Sequence, residues 1–143
     1  MQHVEATRLI SAPIAEVWER YTDHLAWNDW AGMGTVTRTR DGRDAVNGVG
    51  SVRCISSAGV KVYEEVVVYE PPHRQQYRII KGGPGIKDHL GDVTFASQEN
   101  GTLVTWRCQF NPKIPGTGTL LRLFITRLFR NGLANLARSL ARP

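Results

Sequence analysis

The sequence predicts an α+β fold in which a curved, seven-stranded antiparallel sheet wraps around one long C-terminal helix, with two short helices after the first strand. Three observations carry this expectation. A series of β-prone runs, punctuated by glycine- and proline-rich turns, fills the middle of the chain. A long amphipathic helical pattern closes it. Near the start, Ser11-Ala12-Pro13 turns a strand directly into a helix, because a proline fits the first helical turn, where its missing N–H would have no partner.

The elements follow in order. Residues 3–10 alternate as a first strand. A helix over about 13–22 places Ile14, Val17, Trp18 and Tyr21 on one face, with Glu16, Glu19 and Arg20 on the other. A shorter, turn-rich helix over about 24–30 carries Trp27 and Trp30, which with Trp18 pack over one edge of the interior. Six β-prone runs come next, at 34–40, 50–57, 60–70, 74–81, 87–98 and 102–111, and Asn100-Gly101 marks a tight hairpin. Short turns between them require antiparallel neighbours.

Pro112 and Pro115 end the last strand, and Thr117-Gly118-Thr119 leads into a helix over about 119–141. At about 100° per residue, Leu121, Phe124, Ile125, Leu128, Phe129, Gly132, Leu136 and Leu140 share one arc. Arg122, Arg127, Arg130 and Arg138 lie mostly away from it. Such a helix needs an apolar surface to cover, and the concave face of the sheet is the large one available. Gly132 sits in that arc at a cost of about 1 kcal/mol relative to alanine. Either it leaves room for a ligand or it allows close packing against a strand.

Composition bounds the function. The 143 residues, 41% hydrophobic and 22% charged, fit one globular domain spanning 1–143, long enough to bury a sizeable core. No apolar run approaches the roughly 20 residues of a membrane span, and no basic-then-apolar leader is present, so a cytoplasmic location is expected. Cys54 and Cys108 make neither a disulfide framework nor a metal pattern and read as small apolar residues within strands. The net charge of +5 is uneven: every Asp and Glu lies at or before Glu99, whereas Arg107, Lys113, Arg122, Arg127, Arg130, Arg138 and Arg142 follow it. These arginines read as a solvated helix face; no nucleic-acid motif accompanies them, and contact with a membrane surface is a minor alternative. No Ser-His-Asp set, metal-ligand cluster or phosphate loop can be assembled, and Gly82-Gly83-Pro84-Gly85 is a turn between strands. No metal and no cofactor are expected.

Strand alternation assigns the inner face. Val104, Trp106, Cys108 and Phe110 face inward in the last strand, as do Val93 and Phe95 in the strand before it, which carries Gly91 and His89 to the same side. Tyr77 and Ile79 oppose Arg78. In 60–70, Val62-Glu64-Val66-Val68 and Tyr63-Glu65-Val67-Tyr69 are both credible inner faces.

Ile10-Ser11-Ala12-Pro13-Ile14-Ala15-Glu16-Val17-Trp18, followed by Asp23, Trp27 and Trp30, resembles the opening of the START-like (SRPBCC) superfamily. Its polyketide cyclase/dehydrase-like branch is also resembled by Asn47-Gly48-Val49-Gly50-Ser51-Val52-Arg53, by Glu64-Glu65-Val66 through Tyr69-Glu70-Pro71-Pro72, by Tyr77-Arg78, and by Gly101-Thr102 with Thr105-Trp106. The resemblance covers essentially the whole chain. It implies a helix-grip fold with a deep cavity for an apolar small molecule, the 82–85 turn at its mouth, and Tyr63, Glu65 and Tyr69 on the inner face. The candidate ligand-binding set is then Arg53, Tyr63, Glu65, Tyr69, Tyr77, His89 and Trp106, with Phe124 and Leu128 from the helix.

Arg53 and Glu65 on adjacent strands form either a structural salt bridge or an anchor for a polar group of the ligand. His89 is either a satisfied residue at a strand end or an acid–base group. Three functions stay in play. The first is binding of a hydrophobic small molecule, lipid or polyketide-like. The second is a cyclase, dehydratase or aromatase in which Arg53 stabilises an enolate and a tyrosine or His89 moves a proton. The third is a protein or membrane interaction module.

Overall fold

The structure is a computed structural model that describes residues 1–83 and 85–141. Strand β1 (Gln2–Ile10) leads to helix α1 (Ile14–Thr22), a 3-10 turn (His24–Ala26) and helix α2 (Trp27–Trp30). Strands β2 (Thr35–Arg40), β3 (Val52–Ser57), β4 (Val60–Glu70), β5 (Arg74–Gly82), β6 (Ile86–Gln98) and β7 (Gly101–Pro112) follow, and helix α3 (Gly118–Leu140) closes the chain. Each expected element is present, with its ends moved by no more than two residues.

The seven strands form one antiparallel sheet in the order β1-β7-β6-β5-β4-β3-β2. It is curved, and its concave face holds α3, which lies against β1 and β7. This is the helix-grip arrangement expected from the sequence. Consecutive strands from β2 to β7 are hairpin neighbours, and β1 alone crosses to the far side to pair with β7.

The short helices are fastened by their own aromatic residues. Pro13 precedes α1 in an extended conformation, and its carbonyl accepts from the N–H groups of Glu16 and Val17. The Asp23 carboxylate accepts from the Leu25 N–H at 3.2 Å and starts the 3-10 turn. The indole N–H of Trp27 donates to the Tyr21 carbonyl at 2.6 Å, and that of Trp30 to the Arg20 carbonyl at 3.2 Å. Asn28 exchanges two 2.8 Å hydrogen bonds with the backbone of Val36 and so serves as a strand partner for edge strand β2.

The packed core sits where α1, α2 and the C-terminal half of α3 meet β1, β6 and β7. Val17, Tyr21, Phe95, Trp106, Leu133 and Leu136 are all buried there. Gly132 is packed tightly: a Cβ on it would lie 2.8 Å from Met33 Cε and 3.1 Å from Trp106 Cζ3. Of the two uses open to this glycine, close approach is the one realised, and the helix comes down on the Trp106 ring. Arg127, Arg130 and Arg138 project outward. Among the described residues, no helix is long and apolar enough to cross a membrane.

Candidate ligand cavity

A cavity of about 400 Å³ opens between the sheet and the 124–129 stretch in the N-terminal half of α3. Phe124, Ile125, Leu128 and Phe129 of α3 form its roof. Ile55, Val62, Tyr77, Ile79, Ile86 and Trp106 form its floor, and Trp27 and Met33 close its deep side. Phe124 is 57% exposed and stands at the rim. Two broader depressions, of about 540 and 570 Å³, lie open on charged outer surface and have no comparable apolar lining.

The wall carries few polar groups, chiefly Glu64, Tyr77, His89 and Ser57. Glu64 Oε1 accepts from Arg53 Nε at 2.8 Å. Arg53 itself is fully buried behind the wall, its guanidinium over the rings of Trp27 at 4.1 Å and Tyr77 at 4.7 Å. Burial opposes its charge, but the Glu64 carboxylate outweighs that and holds the guanidinium firmly protonated. Tyr77 accepts from the Trp106 indole at 2.8 Å and lies across Gly91, where a Cβ would fall 2.2 Å from the Tyr77 ring. Only a glycine opposite lets that ring lie flat. Burial raises the phenols of Tyr77 and Tyr21 well above their ordinary range and pushes the Cys108 thiol up to about 12.

His89 shares the inner face with Gly91, Val93 and Phe95 by regular alternation, and a bulge beyond it turns Ile86 to the same side. Register shifts by one residue between Lys87 and Leu90, and Asp88 takes a positive φ of 53°. Both Ile86 and His89 therefore face the cavity, although they are three residues apart. The β5–β6 pairing runs as far as Tyr77↔Gly91, and beyond it the Ile79 N–H donates to His89 Nδ1 at 3.1 Å. That bond fixes the tautomer: in the neutral ring the proton is on Nε2. Burial lowers the His89 pKa, with Arg53 acting in the same direction and Glu64 against it.

Of the residues expected from the sequence, Tyr77, His89, Trp106, Phe124 and Leu128 lie together on the wall. Arg53 points inward but is screened from the wall. Tyr63 and Glu65 face the other way, and this corrects the inner face chosen for 60–70. Tyr63 lies on the outer surface with Lys81 Nζ 5.5 Å from its ring centroid. Glu65 bridges Arg78 at 2.8 Å and Arg40 at 2.5 Å, and these hydrogen bonds hold its carboxyl below the usual carboxylate range. Tyr69 does face inward, but only because a second bulge between Val66 and Val68 reverses the alternation; it packs on Trp18, 5.4 Å between centroids, away from the cavity.

The partner of Arg53 is thus Glu64. The signal was in the β3–β4 hairpin. Ala58 and Gly59 both have positive φ, 50° and 82°, as a two-residue turn between paired Ser57 and Val60 requires. Counting back from that turn sets Arg53 directly opposite Glu64, and directly opposed residues share a face. His24 was also missed. It is fully buried, its Nδ1 lies 3.4 Å from Ser51 Oγ, and burial beside Arg53 and Arg38 lowers its pKa to about 2. The turn expected at the mouth includes Pro84, which lies outside the described residues; next to it, Gly83 approaches the wall residues Ile79 and Ile86.

Known structures share this architecture. XoxI from Bacillus cereus superposes with a TM-score of 0.79 at 17% identity, covering 97% of this chain and 95% of that one. A solution structure from Thermobifida fusca gives 0.81 at 22% identity, covering 96% and 91%. DynU16, a protein of the dynemicin biosynthetic locus, gives 0.70 at 20% identity, covering 98% of this chain and 47% of its own. At these identities the likeness is one of fold. No curated protein matches in sequence. Residues 1–141, however, match the family described as "Polyketide cyclase / dehydrase and lipid transport", and with nearly the whole chain spanned, this protein belongs to that family.

Proposed function

We propose that the protein binds a hydrophobic small molecule, a lipid or a polyketide-like compound, in the cavity between the sheet and the N-terminal half of α3. The observation that carries this reading is the 400 Å³ cavity itself, walled by apolar and aromatic side chains with a few polar groups among them. That size and make-up are typical of small-molecule sites. Family membership supports the same class of guest, since its description names both polyketides and lipids. The reading includes a cytoplasmic site of action, supported by the two unpaired, buried thiols of Cys54 and Cys108. Mass spectrometry of organic extracts from protein purified out of its native cells tests it. An apolar compound should co-purify, and Leu128→Trp, which fills the cavity, should abolish its retention. Extracts free of such a compound, together with failure of fluorescent lipid probes to bind, would remove the reading.

A second reading, cyclase or dehydratase chemistry in the same cavity, is favoured by His89. A neutral imidazole with Nε2 carrying its proton beside Tyr77 and Glu64 is a set that can move a proton on a bound carbon skeleton. Its test is turnover of a poly-β-keto substrate. His89→Ala should reduce kcat by at least about a hundredfold with the fold intact, and undiminished turnover would reject the role.

A further inference from the structure

Resting on the binding reading, we infer that the cavity takes an apolar guest whose polar end donates a hydrogen bond (a hydroxyl, phenol or amine) and rejects guests ending in a carboxylate or phosphate. The charge that meets the cavity is the negative one. Glu64 lines the wall with its side chain 11% exposed, whereas Arg53 is 0% exposed and absent from the wall. Among the described lining residues there is no lysine or arginine.

Only one carboxylate oxygen of Glu64 is engaged by the arginine: Oε1 accepts from Arg53 Nε, and Oε2 has no hydrogen-bond partner among the described residues. An O–H or N–H arriving from the cavity would find an acceptor there. A carboxylate would meet like charge in a place where water cannot screen it well.

The guanidinium does not offer a way around this. Its Nη1 and Nη2 have no partner among the described residues, but they are sealed from the cavity. The ring centroids of Trp27 and Tyr77, both wall residues, lie 4.1 and 4.7 Å from the Arg53 Cζ, and Tyr77 is held in turn by the Trp106 indole and by its fit over Gly91. Both Nη atoms are buried, and Arg53 is not among the residues that line the cavity, so an anion could reach them only if the side chains packed around them moved. His89 adds a neutral N–H donor to the wall, so a guest with a donor and a neighbouring acceptor, such as a hydroxyl beside a carbonyl, would find both partners.

The test uses one chain length with three polar ends: decan-1-ol, decylamine and decanoate, titrated at pH 7.5 into the full chain. Trp27 and Trp106 line the cavity, so intrinsic tryptophan fluorescence reports occupancy. The alcohol and the amine should bind at least about tenfold more tightly than decanoate. Glu64→Gln should cut the preference for amine over decanoate by about tenfold or more. Decanoate binding as tightly as the alcohol in the unmodified protein would overturn the inference while leaving the cavity-binding reading standing. Failure of all three to bind would overturn both. The comparison in the unmodified protein decides the matter even if the variant does not fold.

Discussion

Taking the guanidinium from Arg53 leaves Glu64 with no counter-charge at a site where its side chain is 11% exposed. Breaking a buried ion pair at one end costs about 3–5 kcal/mol, because a charge stays behind in a medium that solvates it poorly. Replacing both partners by apolar groups of similar shape leaves nothing uncompensated and is often neutral. Arg53→Met should therefore destabilise the protein by about 3–5 kcal/mol in urea denaturation. Arg53→Met combined with Glu64→Leu should recover most of that loss. The cation over Trp27 and Tyr77 adds a stacking contribution that the double variant does not restore, so full recovery is not expected. A double variant as unstable as the sum of the two single changes would show that stacking, not the ion pair, holds this arginine in place.

Helix α3 has one face packed in the core and another turned to solvent, and stability should divide between them. Leu133 and Leu136 are 1% and 0% exposed, whereas Leu120 and Leu123, off the apolar arc, are 72% and 56% exposed. Leu136→Ala should cost about 2–5 kcal/mol, the usual price of a buried leucine. Leu123→Ala should change stability by no more than about 0.5 kcal/mol. Chemical denaturation of the two variants checks both, and equal losses would mean that Leu123 is packed as tightly as Leu136. The helix and the strands were legible in the sequence because each element has one strong period: α3 carries its apolar arc, and β7 alternates cleanly through Val104, Trp106, Cys108 and Phe110. Strand β4 was not legible on those grounds. Valines and glutamates occupy both of its parities, so alternation says nothing, and a bulge within the strand lets Glu64 and Tyr69 face the same side. His24 was hidden for another reason. It sits in a 3-10 turn, where neither helical nor strand period applies, and only the packing of that turn against α1, α2 and β2, with Ser51 on its imidazole, buries it.

At the scale of the whole molecule, the interior holds two imidazoles that fold in the neutral form, and this sets how the protein responds to acid. Burial lowers the pKa of His24 to about 2, with Arg53 and Arg38 acting in the same direction, and burial likewise lowers that of His89. In the unfolded chain an imidazole titrates near about 6.5. Above that pH both states are neutral and these residues add no pH dependence. Below it the unfolded chain takes up protons that the native fold refuses, so unfolding becomes more favourable as the pH falls. Between pH 6.5 and 5.0 His24 alone should remove about 2 kcal/mol of stability, and His89 adds to the loss in the same direction. Glu65 does not account for this window. Its carboxyl, whose pKa is lowered by Arg78 and Arg40, contributes stability that is lost only as the pH falls below the ordinary carboxylate range. Urea denaturation at half-unit steps from pH 7.5 to 5.0 measures the slope, and His24→Gln should flatten it by the share assigned to that residue while leaving the His89 share in place. A slope unchanged by His24→Gln would mean that this imidazole reaches solvent and is protonated in the folded protein, and the sealed packing of the 3-10 turn against β2 and Ser51 would have to be given up.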